Sequence, residues 1–142
     1  MPTHSTHELA VAYLARFRSK GFEFDWAFDA VLDMTFDDRW EDLWQFILAF
    51  SRLPEAIEPE AMAFFAAGPV EDLICQAGPA YVDRVLEEAK QNSPLGRLLT
   101  GVWGYSADPA VWDKVVRFCQ AFPDPSMVCT TIGRRGCRLT MR

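Results

Sequence analysis

The amino-acid sequence predicts an all-α fold, a compact single-domain bundle of seven to eight short helices. Half of the 142 residues are hydrophobic, which is enough to form a core. N-cap residues, prolines and glycines follow one another at short intervals, as they do at the ends of helices. Apolar side chains also recur at helical spacing, most clearly at Trp40, Leu43, Trp44, Ile47 and Phe50.

Capping signals place the first two helices. Ser5 followed by Glu8 has the spacing of a capping box, which predicts the start of a helix. Gly21 follows a basic turn and predicts the end of that helix. Asp25 is the expected N-cap of the second helix, because an aspartate oxygen can accept hydrogen bonds from the first free N–H groups.

The third helix is the clearest amphipathic segment of the chain. Asp37 or Asp38 is its expected N-cap. The acidic and polar side chains of Glu41, Asp42 and Gln45 fall on the side opposite its apolar residues, so we expect them to face solvent.

The stretch "FFAAGPVEDLICQAGP", residues 64–79, contains Ala-Gly-Pro twice. Proline suits the first turn of a helix and glycine suits the position after its end. We therefore expect each motif to separate two short helices, with Gly68 and Gly78 ending one and Pro69 and Pro79 opening the next. A phosphate-binding loop would need a lysine followed by serine or threonine, which this stretch lacks.

Two acids follow the first of these prolines. Glu71 and Asp72 would lie in a first helical turn, where the helix dipole favours carboxylates. With Gly68, Pro69 and Trp103 they form a predicted structural motif. Acid–base chemistry by the two carboxyl groups is the alternative role.

Three tryptophans, Trp40, Trp44 and Trp103, are predicted core residues.

Further helices are expected to begin at Ser93-Pro94 and Asp108-Pro109. The predicted organisation is a helical domain at 1–122 and a basic extension at 123–142. For the extension, a β-hairpin around "GRRG" and a flexible tail both remain open.

The net charge of −6 is unevenly distributed. Residues 23–60 hold eleven acids against two arginines, so this segment alone carries −9. Such a surface repels phosphate, which argues against nucleic acid and favours a basic protein partner. The predicted partner-binding residues are Asp37, Asp38, Glu41 and Asp42.

Few residues here could support catalysis or hold a metal. The two histidines, His4 and His7, stand at the N-terminus, and the four cysteines form no CxxC pair. We therefore expect free thiols, no catalytic residues, no metal and no cofactor. The sequence has no long apolar run and we expect no signal peptide, so the expected location is the cytoplasm, without membrane contact.

Several blocks carry a resemblance. "AAGPVEDLI" followed by "GVW" resembles an uncharacterised bacterial domain family typified by Ala-Gly-Pro-Leu-Glu-Asp-Leu-Leu. "WAFDAV", "DDRWEDLWQFILAF", "YVDRVLEEA" and "DPAVWDKV" are similar in order and spacing, so that the resemblance covers roughly residues 8–120. The resemblance implies a helical fold and a bacterial origin. It does not indicate any particular activity.

Size, charge and the missing catalytic residues together predict a function. The hypothesis is a non-catalytic bacterial binding protein, an immunity protein that neutralises a basic toxin such as a nuclease by direct contact. The alternatives are a small enzyme that uses acidic residues and a helical regulatory adaptor.

Overall fold

The computed structural model describes residues 4–19, 21–54, 58–104 and 106–122. Within these residues it contains helices and no strand, which confirms the all-α class. The predicted choice between hairpin and tail at 123–142 lies outside the described residues. The elements are α1 (Thr6–Arg18), α2 (Asp25–Phe36), α3 (Trp40–Ser51), α4 (Pro59–Phe65), a π-helical segment (Ala66–Val70), α5 (Glu71–Ala89), α6 (Ser93–Leu99) and α7 (Pro109–Ala121).

The chain groups into two compact units, unit 1 at Met1–Ala61 and unit 2 at Met62–Arg142, and the division falls within α4. In unit 1, α1, α2 and α3 pack against one another. Tyr13 of α1 lies at the centre of this packing. Its ring centroid is 4.6 Å from that of Phe28 and 5.3 Å from that of Phe46.

The start of α1 is confirmed. The side chain of Ser5 accepts a hydrogen bond from the Glu8 N–H, and the Glu8 carboxylate accepts one from the Ser5 N–H. The predicted caps of the next two helices are wrong. Asp25 is the first residue of α2 and its carboxylate pairs with Arg16. Neither α2 nor α3 has a side-chain N-cap.

The amphipathic pattern of α3 is confirmed at its centre. Trp44 is 3% exposed, while Glu41, Asp42 and Gln45 face solvent. Trp40 is only half-buried, because it is the first residue of the helix. The buried residues outside the predicted face are Phe46, Leu48 and Ser51, since α3 packs against both α1 and α2.

The first Ala-Gly-Pro motif does not separate two helices, and that prediction is wrong. Gly68 and Pro69 lie inside the π-helical segment, which joins α4 to α5 without a break. A π turn is wider than an α turn, so it gives the ring of Pro69 more room than an α-helix interior would. The Glu71 N–H still reaches the carbonyls of Ala66 and Gly68.

The second motif does not end a helix either. Gly78 and Pro79 lie within α5, which continues to Ala89. A Cβ on Gly78 would lie 2.7 Å from Val111 Cγ1 of α7, so the glycine allows these two helices to approach closely. Pro79 is exposed, and its ring lies on the solvent side of α5.

Unit 2 is built on α5, which packs against α6 and α7. Asp108 caps α7 as predicted, and its carboxylate accepts hydrogen bonds from the Ala110 and Val111 N–H groups. At α6 the cap is Asn92, one residue before the predicted start. Trp103 is half-buried, so among the three predicted core tryptophans only Trp44 is fully enclosed.

Candidate partner-binding site

The turn between α2 and α3 positions the first two predicted partner-binding residues. Asp37 is the C-cap of α2, and Asp38 follows it with φ of 55°, the left-handed region. The Asp38 N–H donates to the Thr35 carbonyl and the Arg39 N–H to the Met34 carbonyl. These two bonds form a Schellman motif, in which the position of Asp38 is usually occupied by glycine. Both aspartates are exposed.

The other two predicted residues begin α3. Glu41 and Asp42 lie in its first turn, where the helix dipole favours carboxylates. Asp42 Oδ2 accepts a hydrogen bond of 3.0 Å from Arg39 Nε, and Glu41 Oε2 accepts one of 2.9 Å from Gln45 Nε2. All four predicted acids therefore lie exposed within six residues around one turn. We call them the acidic quartet (Asp37, Asp38, Glu41, Asp42).

The ion pairs of unit 1 leave part of the quartet uncompensated. Arg16 pairs with Asp25, Arg18 with Glu58 and Arg39 with Asp42. Among the described residues, no cation pairs with Asp37 or Asp38. In the described part of unit 2, by contrast, three exposed acids pair with cations, as Asp83–Lys114, Glu87–Lys90 and Asp113–Arg117.

The negative charge of the protein belongs to unit 1. Its residues include twelve acids and five lysines or arginines, whereas unit 2 has eight acids and nine lysines or arginines. The first unit therefore carries −7 and the second +1, which accounts for the net charge of −6.

Two large apolar side chains are exposed beside these acids on α2. Phe36, directly before the quartet, is 76% exposed, and Leu32 is 48% exposed. They are four residues apart and so lie on one face of the helix. Phe36 was not among the site residues predicted from the sequence. The two aspartates that follow Phe36 in the sequence could have indicated that its ring lies at the end of a helix.

Unit 1 also has a groove of about 740 Å³ that borders the quartet. The ring of His4 stacks on Trp26 at one part of its wall, with ring centroids 4.1 Å apart and planes inclined by 21°. Carboxylates and apolar side chains share the lining, which consists of His4, Ser5, Thr6, Leu9, Trp26, Ala30, Asp33, Met34, Arg39, Asp42 and Gln45.

The predicted structural motif lies in unit 2. A hydrogen bond, rather than a helix dipole, explains the role of Glu71 in it. Glu71 Oε1 accepts a hydrogen bond of 2.8 Å from the Trp103 N–H, which links α5 to the segment after α6. The first turn of α5 continues the π-helical segment, so it offers Glu71 no open helix end. Glu71 and Trp103 are thus brought together, while Gly68 and Pro69 shape the backbone before them.

Asp72 and Cys75 lie close to this link. Both are half-buried, and Cys75 Sγ donates to the Trp103 carbonyl at 3.5 Å. Burial, and then the charge of Glu71, raise the pKa of Asp72. Burial also raises the pKa of the Cys75 thiol, which disfavours the nucleophilic thiolate. Cys119 is fully buried with a pKa raised by burial to about 12.

Within the described residues, no group of three or more His, Cys, Asp or Glu side chains could hold a metal ion. Cys75 and Cys119 are free thiols, as predicted. The predictions for Cys129 and Cys137 fall on residues outside the described part. The helices of that part include none long and apolar enough to cross a membrane.

Comparison with known proteins gives one match. The model of DUF6869, a family of unknown function, matches residues 16–121. No curated protein and no solved structure matches the chain. The match covers most of the sequence, from the last turn of α1 to the end of α7. The chain therefore belongs to the DUF6869 family of unknown function.

Proposed function

We propose that this chain is a non-catalytic binding protein that neutralises a basic protein toxin, such as a nuclease, by direct contact through the acidic quartet. The observation that carries the proposal is the combination of exposed Phe36 with exposed Asp37 and Asp38, which pair with no cation among the described residues. A bacterial origin and a cytoplasmic location belong to the same proposal.

The acids at the end of α2 are unfavourable for the folded chain by itself. Asp37 lies at the C-terminus of a helix, where the dipole disfavours negative charge. It also follows Asp33 by four residues, a spacing at which like charges repel by about 0.2–0.5 kcal/mol. Asp38 adds a backbone conformation that side chains rarely adopt. A cationic partner would compensate the charge at this turn.

The surface has the composition of an interface. Protein interfaces place aromatic anchors at the centre and charged groups around them. Phe36 and Leu32 supply apolar area, and the quartet surrounds the end of the same helix. Acids on such a rim steer a basic protein towards the site and accelerate association.

The choice of a toxin among basic partners rests on the small size, the acidic surface and the residue types present. Only two histidines occur, both within the first seven residues, so that no histidine general base is present from α2 to α7. An inhibitor needs a surface of complementary charge and no reaction of its own. The quartet provides such a surface.

The test is affinity capture from the source cell with three baits: the native chain, the quartet variant D37N/D38N/E41Q/D42N and a control variant D83N/E87Q/E88Q/D113N. The control changes the net charge by the same amount on unit 2. We expect a basic protein that is retained by the native and control baits and lost from the quartet bait. Its expression should then arrest growth unless this chain is co-expressed.

A captured partner that is not toxic would contradict the toxin assignment and leave the binding function in place. A partner retained equally by all three baits would contradict the quartet as the contact surface.

Acid–base catalysis is the second candidate, favoured by Asp72. Its half-buried carboxyl has a raised pKa and lies beside Glu71, as in sites where two carboxyl groups share acid and base roles. Turnover of any substrate by the purified chain, with loss in the D72N variant, would support this candidate against the first.

A further inference from the structure

We propose that the groove of unit 1 takes one arginine side chain of the basic partner, with its guanidinium on the carboxylate of Asp33. The inference rests on the proposed function and names the contact chemistry of the partner. The groove has a volume of about 740 Å³, which lies in the range of small-molecule pockets. It therefore has room for one long side chain with its adjoining backbone.

Asp33 is the lining carboxylate that remains available to a cation. The other lining carboxylate, Asp42, already accepts the 3.0 Å hydrogen bond from Arg39, so the charge of that arginine is compensated within the chain. Asp33 is exposed and has no ion-pair partner among the described residues. It lies one turn before Asp37, so the groove and the acidic quartet form a continuous surface.

The lining favours arginine over lysine. Leu9 and Met34 line the groove and offer apolar atoms to the methylene stem. Trp26, held in place by the stacked ring of His4, adds an aromatic wall. A guanidinium stacks on aromatic rings and binds a carboxylate with two parallel hydrogen bonds, whereas an ammonium is a strongly hydrated point charge.

The experiment uses two small probes and the full chain labelled with ¹⁵N. N-acetyl-arginine amide and its neutral isostere, N-acetyl-citrulline amide, are titrated separately. The indole N–H signal of Trp26, assigned by its loss in Trp26→Phe, reports occupancy of the groove. We expect a saturable shift with the arginine probe and none with the citrulline probe.

Two matched variants locate the contact. Asp33→Asn should weaken arginine binding about tenfold, the cost of losing a hydrogen bond to a charged group. Asp29→Asn makes the same change of charge on an exposed residue one turn earlier, outside the groove lining, and should leave binding nearly unchanged. Equal weakening in both variants, an equal shift with citrulline, or no shift with arginine would overturn the proposal.

Failure of this inference differs from failure of the proposed function. If the quartet variant lost the partner and the Asp33→Asn variant bound it normally, the groove would be excluded as a contact and the proposed function would stand. If the arginine probe bound the groove but no basic partner were captured, the groove would stand as an arginine site and the proposed function would be contradicted.

Discussion

Asp38 stands at a backbone position that suits glycine, and this gives a prediction at the scale of one residue. Its φ of 55° places its Cβ close to backbone atoms. We expect Asp38→Gly to raise the free energy of unfolding by about 1 kcal/mol, because glycine adopts this conformation without that contact. Urea denaturation measures the change.

Asp38→Ala is the control for this prediction. It removes the same charge and keeps a Cβ at the left-handed position. If alanine stabilised the chain as much as glycine, charge rather than backbone conformation would account for the gain.

Trp44 and Trp40 form a matched pair on α3, four residues apart. Trp44 is 3% exposed and lies in the core of unit 1, whereas Trp40 is half-buried. Trp44→Ala should cost about 3–5 kcal/mol in the free energy of unfolding, the range for a large buried side chain. Trp40→Ala should cost clearly less, and equal costs in denaturant titrations would contradict the described orientation of α3.

Asp72 makes the stability depend on pH. Its pKa in the folded chain is raised above the ordinary value of 3.8, first by burial and then by Glu71. The folded chain thus holds this proton to a higher pH than the unfolded chain. Ionisation therefore costs stability: the cost is absent below the unfolded-state pKa, grows as the pH rises towards the raised value and is complete above it.

Asp72→Asn should remove that cost. The variant should match the native chain near pH 3 and become the more stable of the two as the pH rises to 7. Urea titrations at a series of pH values measure the difference. A difference that stayed constant, or that grew towards low pH, would contradict the burial of this carboxyl group.

At the scale of elements, Pro79 tests whether α5 is continuous. Proline inside a helix lacks an N–H donor and crowds the preceding turn. Pro79→Ala should therefore stabilise the chain by roughly 1–3 kcal/mol, offset in part by greater freedom of the unfolded chain. If Pro79 opened a separate helix instead, its ring would suit its position and the substitution would lower stability.

Several elements could be predicted from sequence because their signals are local. The capping box at Ser5, the cap at Asp108 and the apolar face around Trp44 each depend on residues within a few positions of one another. These predictions agree with the structure, as does the exposure of Glu41 and Asp42.

The wrong predictions depend on contacts between distant parts of the chain. From the neighbouring residues, Gly78 was predicted to end a helix. In the structure its missing side chain leaves room for Val111 of α7, which is more than thirty positions away in sequence. Asp25 was predicted to be the N-cap of α2, but its carboxylate pairs with Arg16 on another helix. Likewise, the groove at Asp33 needs three helices to form, and no local pattern could indicate it.

At the scale of the whole molecule, charge separates along the chain. Unit 1 carries −7 and unit 2 carries +1, and three exposed acids in the described part of unit 2 pair with cations within it. A basic partner should therefore associate through the first unit. Because exposed charges are screened by salt, that association should slow as ionic strength rises.

The most direct test is the association rate of the captured basic partner, once purified, with the native chain, the quartet variant and the control variant, measured at low and moderate salt. The quartet variant should associate about tenfold more slowly than the native chain at low salt and depend less on salt, since its steering charges are gone. The control variant should follow the native chain at both salt concentrations. Equal rates for the quartet variant and the native chain at both would contradict the acidic quartet as the binding surface.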